Sequence, residues 1–167
     1  MRGARDLGEL FVTVAGVEAV GALSAVAAGG DFVAYFQALR KPPGTPPPAA
    51  FGPAWGTLYL LMGVAAWLVW REGVTRQTAG ALGLFVTQLV LNFAWSLIFF
   101  GRHRHGAALL DIVALWLTIL LTVVAFWRVR RAAGALLVPY LAWVSFATYL
   151  NAGVWRLNGS GTGEVPA

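Results

Sequence analysis

Apolar residues in this chain fall into five long runs, roughly 10–28, 49–70, 79–100, 107–127 and 132–155, separated by polar joints. A helix crosses the hydrocarbon core of a bilayer with about 20 predominantly apolar residues. Each run has about that length, and backbone inside a bilayer must satisfy its own hydrogen bonds, which favours helix. The pattern predicts an all-α membrane protein: a five-transmembrane-helix bundle forming a single domain over residues 1–157. The one long joint, 29–48, ends in the proline-dense stretch "KPPGTPPP". Proline lacks an N–H and suits a first helical turn, so Pro46, Pro47 and Pro48 stiffen the approach to the second span. Pro53, about a turn further on, is expected to bend that span. The same stiffness suits a lid-like loop over a cavity between helices. Residues 158–167 read as a flexible, glycine-rich tail.

Composition supports the membrane assignment. The chain is 59% hydrophobic and only 11% charged, against about a quarter charged in soluble domains. It is therefore read as an integral, multi-pass protein, in the cell membrane if the source is bacterial. Its net charge of +5 is dispersed over the joints, which fits cations flanking spans and implies no nucleic-acid partner. Arg2, Arg5, Arg71, Arg76, Arg128, Arg130 and Arg131 fall on one face, and Arg40, Lys41, Arg102, Arg104 and Arg156 on the other. The imbalance leans towards a cytoplasmic N-terminus. The acids Asp6, Glu9 and Glu18 argue against a cleavable signal in the first run. The chain has no cysteine, which excludes disulfide frameworks and thiolate chemistry.

Polar residues inside the runs carry the functional signal. Gln88, Asn92 and Ser96 form an i, i+4, i+8 stripe on the third span with Trp95 beside it. Trp55 and Tyr59 lie one turn apart on the second. Tyr140, Trp143, Ala147 and Asn151 share roughly one face of the fifth. Such stripes turn inward, because polar groups facing lipid are costly. Any one of these residues could be interhelical glue. Three spans with aromatic-plus-polar stripes point instead to a shared pocket for a flat, greasy ligand with a polar edge. Of the eight tryptophans, Trp70, Trp127 and Trp155 sit at span ends, as aromatic belts do. Trp55, Trp95, Trp116 and Trp143 lie deeper and are candidates to line the pocket.

Two acids fall within the runs. Asp111 is near His103, Arg104 and His105, as a pairing partner or an N-terminal charge. Glu18 is mid-span, where a carboxyl group is a functional candidate by default. His103 and His105 do not share a helical face, so they read as loop charge and not as a metal pair. No nucleophile, metal or phosphate motif is present, and neither a metal nor an obligatory cofactor is expected. Gly52/Gly56 and Ala79/Gly83 are small-residue pairs that permit close helix contact.

"GPAWGTLYLLMG" (Gly52–Gly63), "QLVLNFAWSLIFFG" (Gln88–Gly101), "PYLAWVSFATYLN" (Pro139–Asn151) and then "VWRLN" make the chain resemble the TspO/MBR family, the translocator and tryptophan-rich sensory proteins. The resemblance covers about Phe36 to Asn158. It implies a five-helix bundle, commonly a homodimer, acting as a receptor or carrier whose pocket opens beneath the joint between the first two spans. Implied ligands are porphyrins (protoporphyrin and haem), with sterols and synthetic isoquinoline or benzodiazepine-type compounds as further classes. The implied role lies in tetrapyrrole or stress regulation. Alternatives are light-dependent porphyrin degradation through Trp143, or a regulatory interaction without catalysis. Taken with the stripes, the expected ligand-binding set is Trp55, Tyr59, Gln88, Asn92, Trp95, Tyr140, Trp143, Ala147, Leu150 and Asn151. The chain departs from the family in three places. Gly44 stands where the proline loop often has tryptophan, and Phe36 stands at a frequent tyrosine, with Tyr35 beside it. Ala152 occupies the tyrosine position of the animal cholesterol motif.

Overall fold

The computed structural model describes residues 2–29 and 32–159. Among these there are six α-helices and one π turn. They are α1 (Arg2–Ala27), α2 (Phe32–Ala38), α3 (Pro48–Trp70), α4 (Arg76–Ser96), the π turn Leu97–Gly101, α5 (His105–Val129) and α6 (Arg131–Asn158). Five helices are long and apolar enough to cross a membrane, α4 counted together with the π turn.

The helices run past the apolar stretches because other interactions extend them. At the start of α1, Arg5 pairs with Glu9 one turn on, at 3.0 Å. Thr75 and Thr78 form a reciprocal capping box before α4. Pro48 occupies the first turn of α3, where no N–H is needed. The joint 29–48 is not loop throughout: α2 lies within it. The turn that follows carries Pro43 and then Gly44 at φ +80°, the proline–glycine order and left-handed φ of a type II turn. Tryptophan would be strained at that φ, so the departure at Gly44 is conformational as well as chemical. Asn158 closes α6, so the expected tail loses its first residue to the helix. Gly159 follows it, and 160–167 lie outside the described residues.

The long helices form a ring. α1 packs on α3, α3 on α6, α6 on α5 and α5 on α4, and α4 returns to α1. Lipid exerts no hydrophobic drive between helices, so contact depends on close packing and hydrogen bonds. Gly63 of α3 supplies the closest approach to α1: a Cβ there would lie 2.7 Å from the Cα of Val14. At one end of the ring, Asp6 meets Arg71 at 3.6 Å and Glu72 meets Arg130 at 2.8 Å. These bonds gather the start of α1, the α3–α4 turn and the α5–α6 joint on one side. The opposite end carries α2 and the proline turn.

Gly63→Ala should force α1 from α3 and lower stability by about 1–3 kcal/mol. Gly80→Ala is the control, since its Cβ would meet nothing within 4 Å. Thermal melts in detergent micelles should separate the two, and equal melting temperatures would show that the α1–α3 contact yields without cost.

Candidate functional site

At the α2 end the bundle encloses a cavity of about 390 Å³, within the roughly 300–1,000 Å³ of small-molecule sites. Small residues of α1 and α3 form part of its wall, including Gly21, Ala25, Gly52 and Gly56. A Cβ at Gly52 or Gly56 would meet nothing within 4 Å. That pair therefore opens space and makes no close helix contact within the chain. Aromatic rings form much of the rest, among them Phe51, Trp55 and Tyr59 of α3, Trp95 of α4, Phe99 and Phe100 of the π turn, and Trp143 of α6. Trp55 stacks near Tyr59, with centroids 5.7 Å apart, and meets Trp143 edge-on at 6.3 Å. The π turn arises where the Arg102 N–H reaches back to the Leu97 carbonyl. Such insertions re-aim side chains and recur at functional sites.

Of the residues expected at the site, Trp55, Tyr59, Trp95, Trp143, Ala147, Leu150 and Asn151 line this cavity. Gln88, Asn92 and Tyr140 lie behind its wall, almost completely buried. The Tyr59 hydroxyl donates to Asn92 Oδ1 at 2.5 Å, and Asn92 Nδ2 donates to the Tyr140 hydroxyl at 3.1 Å. Tyr140 donates in turn to Gln88 Oε1 at 2.9 Å. Gln88 Nε2 approaches Met62 Sδ at 3.8 Å. These three residues thus orient the wall and do not form it. A second relay begins at Trp95, whose indole N–H donates to Asn151 Oδ1 at 2.9 Å. Asn151 Nδ2 then donates to the His105 carbonyl at 2.9 Å. Trp116 is not in the wall: its indole is bonded to Ser145 between α5 and α6. Among the described hydrogen bonds none starts from the indoles of Trp55 or Trp143, both of which line the cavity.

The segment 29–48 contributes what the apolar pattern did not reveal. Phe32 and Phe36 of α2 line the cavity. Their spacing of four is the available signal, but a seven-residue helix is too short for periodicity to declare it. Lys41 caps that helix, its ammonium donating to the carbonyls of Phe36, Gln37 and Leu39. Arg40 and Asn158 exchange two hydrogen bonds, and the Tyr149 hydroxyl donates to the Pro43 carbonyl. Pro42 seats against Gly153 so tightly that a Cβ there would lie 2.5 Å from the ring. Tyr35, beside the family position held by Phe36, places its hydroxyl 2.6 Å from His105 Nε2 and stacks on His103 at 3.9 Å. Burial pushes the Tyr35 phenol up to about 12, so it stays protonated and able to donate at any physiological pH. Asp111 pairs with none of His103, Arg104 or His105, and its Oδ2 has no hydrogen-bond partner. Among the described residues no three His, Cys, Asp or Glu side chains converge as a metal site.

Together these features define a multi-pass membrane protein with an aromatic-lined cavity at one end of a five-helix bundle. The TspO/MBR family matches residues 11–156, and the chain belongs to that family. The human translocator protein is 44% identical over 131 residues, 77% of this chain and 78% of that protein. The tryptophan-rich protein TspO of Chlorobaculum tepidum is 46% identical over 125 residues, covering 74% of this chain and 79% of its own. Its namesake from Archaeoglobus fulgidus is 36% identical over 150 residues, 90% of this chain and 97% of its own.

Tyr35→Phe keeps the ring on His103 but removes the bond to His105. Stability should fall by about 0.5–1.5 kcal/mol, and hydrogen exchange should rise first in α2 and the proline turn. Protection unchanged in 32–45 would show that the other contacts hold this segment alone.

Proposed function

We propose that the protein is a membrane receptor or carrier for flat, largely apolar ligands of the porphyrin class, protoporphyrin and haem, acting in tetrapyrrole or stress regulation. The observation that carries this reading is the cavity itself. It combines a small-residue wall with several aromatic rings, the Trp55 and Trp143 indoles among them. Ring stacking of that kind contributes about 0.5–1.5 kcal/mol per pair beyond buried area. No histidine, cysteine or methionine is among the lining residues. With the Tyr59 hydroxyl held by Asn92, the aromatic wall supports recognition through the ring system, so haem and metal-free protoporphyrin should bind alike. Sterols and synthetic isoquinoline or benzodiazepine-type ligands fit the same apolar volume. Ala152, in place of the motif tyrosine, counts against tight sterol recognition. α4 presents Ala79, Gly80, Gly83 and Val90 outward, a small-residue face suited to a second copy of the chain, and a homodimer is part of the proposal.

A second reading, light-driven porphyrin degradation, rests on the indole of Trp143 in the cavity wall. It needs an oxidisable indole beside the ring and no acid–base pair.

Titrating purified protein with protoporphyrin should quench tryptophan fluorescence saturably in the dark. Gly56→Leu fills cavity space and should weaken binding at least tenfold without lowering the melting temperature. Non-saturable quenching, or wild-type affinity in that variant, would remove the receptor reading. Trp143→Phe should bind porphyrin with modestly reduced affinity. Under light it should nearly abolish porphyrin loss if the degradative reading holds, with Trp155→Phe as control. An unchanged photoreaction rate would remove that second reading and leave binding intact.

A further inference from the structure

Among the described residues that line the cavity, Glu18 is the one acidic or basic side chain (Asp, Glu, Lys, Arg or His). It lies past the middle of the 26-residue α1, nine residues before Ala27. At 1.5 Å per residue that places it roughly 13 Å from the end of the helix. Its direction follows from the packing on either side. Four residues earlier, Val14 sits against Gly63, and three residues later Gly21 lies under the Tyr59 ring, where a Cβ would be 2.4 Å from the ring. Positions 14, 18 and 21 share one helical face, so Glu18 faces inward between two tight α1–α3 contacts. The ion pairs among the described residues join Arg5 to Glu9, Arg71 to Asp6 and Arg130 to Glu72, all at the end away from the cavity. Glu18 is in none of them, and no side-chain hydrogen bond among the described residues reaches its carboxyl group.

We infer that Glu18 makes this cavity prefer, among flat aromatic ligands of one outline, those that carry a basic, protonated nitrogen. The inference rests on the cavity's being the ligand site proposed above. A protonated nitrogen forms a charge-assisted hydrogen bond with a carboxylate, stronger than a neutral one and strengthened by apolar surroundings. A neutral hydrocarbon ligand of the same outline covers the carboxyl group and offers it no partner, which is costly. A site with a buried polar group discriminates far more sharply against a ligand lacking the partner than an apolar wall discriminates by shape. The cavity also has a polarity sense. Arg40, Lys41, Arg102, Arg104 and Arg156 belong to the α2 end, so an anionic ligand group is favoured there and disfavoured beside Glu18.

The test uses two probes with one three-ring skeleton: 9-aminoacridine, a cation at neutral pH, and acridine, which is neutral there. Each is titrated calorimetrically into the full chain in uncharged maltoside micelles. The wild type should bind the cation at least tenfold more tightly than acridine. In Glu18→Gln that ratio should fall to within twofold. Glu18→Asp, with a shorter acid, should keep an intermediate ratio and carries the comparison if the glutamine variant does not fold. Equal binding of the two probes to the wild type, or a ratio that survives in Glu18→Gln, overturns the inference. Protoporphyrin titrated alongside separates the two claims. If it binds while the acridines show no Glu18-dependent ratio, this inference alone falls. If the ratio appears and protoporphyrin does not bind, the porphyrin reading alone falls.

Discussion

The bundle depends on one buried relay, in which Tyr59 of α3, Asn92 and Gln88 of α4, and Tyr140 of α6 share hydrogen bonds away from the protein surface. Each polar group there must find a partner inside the protein. Interhelical bonds in membranes average only about 0.6 kcal/mol each. Their larger effect is geometric, because a helix rotated by a third of a turn would lose them all. With Tyr59 held, Trp55 one turn earlier must face the cavity. With Tyr140 held, Trp143 and Ala147 follow on the same face of α6. With Asn92 held, Trp95 is brought to Asn151. The polar residues behind the wall thus set the chemistry of the wall.

A second line of contacts connects that wall to the segment above it. Trp95 bonds Asn151, Asn151 bonds the His105 carbonyl, and the His105 ring meets Tyr35 of α2. A ligand that competes for the Trp95 indole or the Asn151 amide would disturb a chain that ends on the α2 segment. The segment is further tied to α6 by the Arg40–Asn158 exchange, the Tyr149 bond to the Pro43 carbonyl and the Pro42 contact with Gly153, while Lys41 caps α2 from within. None of them needs an aromatic side chain at position 44. The segment is seated on α6 through proline packing and backbone hydrogen bonds, which accounts for a proline-dense stretch just ahead of a hydrophobic helix.

Small residues play two opposite parts. Gly63 and Gly153 let backbone or proline come within contact, whereas Gly52 and Gly56 face open volume. Both kinds look alike as spaced glycines. The difference is which neighbour lies opposite, α1 packing closely beside Gly63 and drawing away at the cavity end.

The amino-acid sequence by itself determined the five spans, their order and the inward stripes. Runs of about 20 apolar residues have one stable solution in a bilayer, and polar residues within them have one tolerable direction. It could not separate residues that line the cavity from those that hold the lining. Gln88, Asn92 and Tyr140 share their stripes with Trp95 and Trp143, and helical periodicity reports a face but not depth. It also left α2 and the π turn unseen, because seven- and five-residue elements carry too little periodicity to register. The partners of Tyr35 and Pro42 are likewise set by tertiary structure: residues more than a hundred positions apart meet at Arg40–Asn158 and Pro43–Tyr149 only once the ring of helices closes.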